Sequence, residues 1–206
     1  MIRDLDLTLR ELLEQEARPG SELAGADVVF DLPDSTWRST LGGLTVNAYL
    51  YDVRENRALR TQEPLRARSG DGLRSSRIRP PVRIDCSYCI TAWSTATDEA
   101  VLEEHRLLSQ VLLVLMRNPV IPEVMLQGAL PDLIAPRPEL IASPDGIGTP
   151  PDFWGALDQQ LKPSLNYAVT LAVLLDEPPS DDDMTRLVDE VVVQDLHLAE
   201  LERAGP

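Results

Sequence analysis

The stretch RPPVRIDCSYCITAW, residues 79–93, holds the two cysteines of the chain, Cys86 and Cys89, in a C-x-x-C spacing. In a helix, residues three apart share a face. In a strand, an odd separation puts them on opposite faces. Alternation decides for a strand: Val82, Ile84, Cys86, Tyr88, Ile90 and Ala92 fall on one side, and Arg83, Asp85, Ser87, Cys89, Thr91 and Trp93 on the other. Pro80-Pro81 resists helix and favours an extended entry. Cys86 thus reads as a small core residue and Cys89 as a residue of the more polar face. A zinc site would need further ligands, but the histidines, His105 and His197, stand isolated in sequence. A thioredoxin-like motif belongs at a helix start within a βαβ unit. On this assignment Cys86→Asp costs several times the roughly 1 kcal/mol or less expected for Cys89→Ser.

Outward from this strand, the chain reads as α+β, with a mixed, largely antiparallel sheet covered by helices on one face. An amphipathic helix is expected over residues 2–17, with Ile2, Leu5, Leu9, Leu12 and Leu13 along its apolar stripe. Strands are expected at 27–32, 45–53 and 165–175. A helix over 98–117 has Thr95 or Thr97 as its cap and Val101, His105, Leu108, Val111, Leu112 and Leu115 as its buried stripe. In that stripe His105 reads as a core histidine rather than a base. Residues 119–151 form a proline-rich connection, and a short helix over 152–160 brings in Phe153, Trp154 and Leu157.

At 206 residues there is room for one core-bearing domain, placed at 1–175, and an acidic appendage at 176–206. In the appendage, Ser180 and Asp183 resemble a capping box for a helix over 181–202, although VVV at 191–193 also permits a strand. No apolar run approaches the roughly 20 residues of a membrane span. The acidic N-terminal residues resemble no secretion signal, which points to cytoplasmic synthesis.

Charge is unevenly spread. The net value is −15, yet residues 54–83 hold nine arginines against three acids, and residues 176–206 hold ten acids against two arginines. The basic segment reads as a long, mobile loop between antiparallel strands. It lacks aromatic platforms between Asp52 and Tyr88, which argues against nucleic acid. Arginine supplies eighteen of the nineteen basic residues, and guanidinium suits interfaces with carboxylates. The candidate interface residues are Arg54, Arg57, Arg60, Arg66, Arg68, Arg74, Arg77 and Arg79 in this segment, and Asp181, Asp182, Asp183, Leu187 and Val191 in the appendage. No dinucleotide, Walker A, zinc-protease or nucleophile-elbow motif occurs. No catalytic, cofactor or metal residues are therefore assigned.

Four stretches carry a resemblance: VNAYLYDVRENRALR (46–60), PPVRIDCSYCITAW (80–93), EEHRLLSQVLLVLMRNPVIP (103–122) and LKPSLNYAVTLAVLL (161–175). In this order and spacing, they resemble the cap, or tail-terminator, proteins of extracellular contractile injection systems, which are phage-tail-like particles with a sheath, inner tube and baseplate. The resemblance covers residues 1–175. It implies a ring, usually a hexamer, that closes the tube and anchors the last sheath layer at the end distal to the baseplate, with sheath and tube proteins as partners. A different class remains open: a non-enzymatic adaptor that recruits a protein through its acidic appendage.

Overall fold

The computed structural model describes residues 1–68, 74–132, 134–140, 154–155, 161–175 and 185–186. They divide into two compact units, Met1–Thr61 with Pro81–Leu175, and Gln62–Pro80 with Asp176–Pro206.

The first unit contains helix α1 (Ile2–Gln15), strand β1 (Asp27–Val29), the single-turn helix α2 (Ser35–Arg38) and strand β2 (Thr45–Glu55). The second unit contributes β3 (Leu65–Arg68) and β4 (Arg74–Ile78). The first then resumes with β5 (Val82–Trp93), α3 (Ala100–Arg117), β6 (Ile134–Leu140) and β7 (Leu165–Val173). Its five-stranded sheet has the order β1-β2-β5-β7-β6. β1 runs parallel to β2, and every other pair is antiparallel. The α+β class with a largely antiparallel mixed sheet is thus what the chain adopts.

β5 is the central strand, and its pleat sorts residues as the alternation requires. Cys86, Tyr88, Ile90 and Ala92 join the leucines of α1 and Leu107, Val111, Val114 and Leu115 of α3 in one core. α1 forms because Leu5, Leu9, Leu12 and Leu13 recur at helical spacing, and each of them is buried. Tyr88 Oη, deep in this core, donates to Asp6 Oδ1 at 2.7 Å and so ties α1 to the sheet. The opposite face is not polar as expected: Cys89, Trp93 and Trp154 form a second buried cluster, flanked by Trp37, Leu41 and Tyr51. The two long helices cover one face, and this smaller aromatic layer covers part of the other.

Several expectations are corrected. α3 starts at Ala100, and its N-cap is Glu99 in the left-handed region (φ 56), without a side-chain cap from Thr95 or Thr97. Instead, Ser94 Oγ donates to Glu103 Oε2 at 2.6 Å, and Glu104 Oε1 accepts from Ser94 N at 3.2 Å. The buried stripe of α3 is rotated, leaving His105 and Val101 exposed. His105 is therefore not a core histidine. The expected proline-rich connection contains an edge strand, β6, despite Pro136 and Pro138. The basic segment is not simply a loop, because β3 and β4 pair antiparallel. Thr185–Arg186 form strand β8 against β4, which replaces helix at those two positions; the rest of the expected appendage helix lies outside the described residues. Trp154 and Gly155 are helical, whereas Phe153 and Leu157 lie outside the described residues.

Gly20 and Gly128 both have φ in the left-handed region, and at Gly128 a side chain would also meet a neighbour. Gly128 has φ +60, and a Cβ there would stand 2.4 Å from Cγ of Asp4, whose carboxylate accepts from Ala129 N at 3.3 Å. Gly128→Ala must strain the backbone and displace that carboxylate. The expected loss is about 1–3 kcal/mol in a urea melt, and an unchanged midpoint would contradict it.

Candidate assembly surfaces

The arginine segment leaves the sheet at the end of β2. There Arg54 pairs with Asp52 at 3.3 Å and Arg60 with Glu55 at 3.6 Å, both ion pairs largely in solvent and worth little stability. A 3-10 turn at Arg57–Leu59 follows, capped by Asn56, whose Oδ1 accepts from Leu59 N at 3.1 Å. Asn56 Nδ2 donates to Asp85 Oδ1 at 3.2 Å, and that oxygen also accepts from Thr170 Oγ1 at 2.7 Å. Asp85 thus fastens the departing chain to β5 and β7. No motif in the sequence marked Asp85. Its one signal is an acid among the alternating positions of a long strand.

Arg54, Arg57 and Arg60 are exposed around this turn. In the second unit the ladder places Arg66 opposite Arg77 and Arg68 opposite Ser75 in β3 and β4. It also places Arg74 opposite Arg186, between β4 and β8. Arg77 and Arg79 are exposed. Asp181, Asp182, Asp183, Leu187 and Val191 lie outside the described residues.

Two further features bear on chemistry. Burial pushes both thiols up to about 11, so Cys86 and Cys89 remain protonated at neutral pH and are poor nucleophiles and poor metal ligands. Among the described residues, no group of three or more His, Cys, Asp and Glu is placed to hold a metal ion, and no helix is long and apolar enough to cross a membrane.

The second feature is a groove of ≈ 560 Å³ lined by Arg38, Trp93, Glu104, His105 and Lys162 among others. Lys162 Nζ lies 2.8 Å from Glu104 Oε1 and 3.9 Å from the centre of the Trp93 ring, and it donates to the Ala92 carbonyl. Trp37 meets Trp93 edge-on at 5.4 Å, and the Arg38 guanidinium lies 5.7 Å from the same ring. Burial lowers the pKa of Lys162, while Glu104 works against that shift. Every cation here already has a partner, so the cluster locks the end of β5 to α3 and the 161–163 segment. This role was not legible in sequence, because Lys162 lies 58 residues beyond Glu104 along the chain.

These features describe an α+β scaffold with charged outer surfaces and buried thiols. Residues 4–186 match the Pvc16 N-terminal domain family, and the chain belongs to that family. The fold is similar to a solved sheath/tube terminator of an extracellular contractile injection system, PVC, in its extended state. That match has TM-score 0.60 and 23% identity, and it covers 100% of this chain and 72% of that one. It is also similar to the tube-terminating cap of the anti-feeding prophage, with TM-score 0.60 and 22% identity, covering 94% of this chain and 61% of that one. The chain is thus shorter than either relative. No curated protein matches its sequence significantly.

Proposed function

We propose that this chain is a structural cap of a contractile injection system. It forms a ring, a hexamer on the resemblance, that closes the inner tube and anchors the last sheath layer at the end distal to the baseplate. The observation that carries this reading is the family match across residues 4–186, together with a shared fold with two terminating proteins. The physical logic agrees: a tube of repeated subunits is a heterologous assembly that grows until its end is blocked. A blocking ring must match the last layer on one side and offer no equivalent side to the next. This task calls for complementary surfaces, not a reactive group. Two protonated, buried thiols and a fully paired Lys162 cluster suit that role.

On this reading Arg54, Arg57, Arg60 and Arg79, and the acidic residues 176–206 as a separate appendage, are contact elements toward neighbouring copies, sheath and tube. Their charges set register and encounter rate more than affinity. Synthesis and assembly take place in the cytoplasm. The test is electron microscopy of particles produced without this chain: tubes and sheaths of broad, uncontrolled length are expected. Uniform, properly ended sheaths would overturn the proposal.

A further inference from the structure

α3 turns an apolar stripe toward solvent as well as toward the core. Leu102, Leu113 and Met116 are 50%, 50% and 62% exposed. With the exposed His105 and Ser109 between them, they recur at the three- and four-residue spacing of one helix face. Single exposed apolar residues are ordinary, but residues aligned along an 18-residue helix form a seam. Part of that seam is hollow: Leu102, His105, Arg106 and Ser109, together with Gln110, line a shallow depression. The first four, spaced i, i+3, i+4 and i+7, make the kind of hole that receives one side chain from a facing helix. The ends of the helix carry opposite charge. Exposed Asp98 and Glu99 precede it, and exposed Arg117 closes it.

We propose that this face of α3 pairs with the same face of a second copy, antiparallel, about a twofold axis at Ser109. Charge selects the occupant. A helix with acid at one end and base at the other complements itself when reversed, so Asp98 and Glu99 of each copy approach Arg117 of the other in two equivalent places. The two macrodipoles are then opposed, which also favours the pair. Reversal about Ser109 matches the apolar positions too. Leu102 falls opposite Met116, and Leu113 falls opposite His105, at the mouth of the hollow. Ser109 meets its own copy, where a small side chain lets the helix axes approach to about 8 Å. Such a contact is isologous and closes at two copies. The ring of the cap reading is heterologous and uses another surface, so the two proposals stand or fall separately.

The experiment uses the full chain with Ser109→Cys. Both native cysteines are buried and do not compete. Mild oxidation should give a disulfide-linked dimer on a non-reducing gel. Leu102→Cys is the control, because its two copies would lie about 20 Å apart across the axis and should not link. Sedimentation of the reduced wild type should show a dimer, and Leu113→Glu, at an exposed position and thus compatible with folding, should weaken it about 30-fold or more. Arg117→Glu and Asp98→Lys/Glu99→Lys should each loosen the dimer, and combining the three changes in one chain should restore it. Equal linking of both cysteine variants, or a dimer indifferent to Leu113→Glu, would overturn the proposal. A wild type that stays monomeric while Ser109→Cys fails to link would overturn it as well, leaving the seam to a helix of a different protein.

Discussion

Cys86→Asp should unfold most of the population under conditions where wild type is fully native. Cys86 has no exposed surface and stands between Val53 and Val169 in the sheet. Burial raises its thiol to about 11, with the nearby carboxylates of Asp6 and Asp85 adding to the effect. A carboxyl at the same place would lose its hydration and face those two acids. The loss is about 3–5 kcal/mol or more, a large share of the 5–15 kcal/mol that stabilises a typical domain. Cys89→Ser is the control. Cys89 is 2% exposed and packed with Trp93 and Trp154, so the cost rises from the 1 kcal/mol or less inferred from sequence to about 1–2 kcal/mol. Ser164, which already bonds to the sulfur, offers the new hydroxyl a partner. Urea melts of both variants check the assignment; a Cys86→Asp midpoint close to that of wild type would contradict it.

Glu104→Gln should cost about 2–4 kcal/mol, because it leaves the ammonium of Lys162, a side chain only 14% exposed, without its counter-charge. The double variant Glu104→Gln/Lys162→Met should be milder than the single, since it removes both charges and keeps the apolar stem over Trp93. The pH dependence has a definite sign. Burial holds the folded pKa of Lys162 below its ordinary 10.5, so the folded chain gives up this proton at lower pH than the unfolded chain does. Stability is therefore lowest while Lys162 is charged in both states, and it recovers as pH rises through the folded pKa toward 10.5. Glu104→Gln removes the opposing influence, so recovery should begin at lower pH. Denaturant melts from about pH 7 to about pH 10 would show it, and a single variant more stable than the double would refute the pairing.

The central strand was legible because an alternating apolar pattern has one structural solution, and α1 was legible because its leucines form a single stripe. α3 was harder. It carries apolar residues all round, with Val101, Leu102, Leu113 and Met116 exposed, so periodicity found the helix but could not select its buried side. β6 was hidden by its prolines, and the β3–β4 pair by arginines and serines where apolar residues would have marked an inward face. Among the candidate contacts, the arginines could be read from composition. Their cross-strand opposition could not, since register depends on pairing between distant segments. Asp85 escaped notice for a similar reason: its partners Asn56 and Thr170 are 29 and 85 residues away.

The margins of the five-stranded sheet have a further consequence. On one side stands β1, three residues long; on the other stands β6, in which two of seven residues are prolines with no N–H to donate. An extended segment arriving at either margin would find too few rungs to hold it. Two copies of this sheet brought edge to edge would therefore meet through their side chains without fusing their backbones into a continuous ribbon.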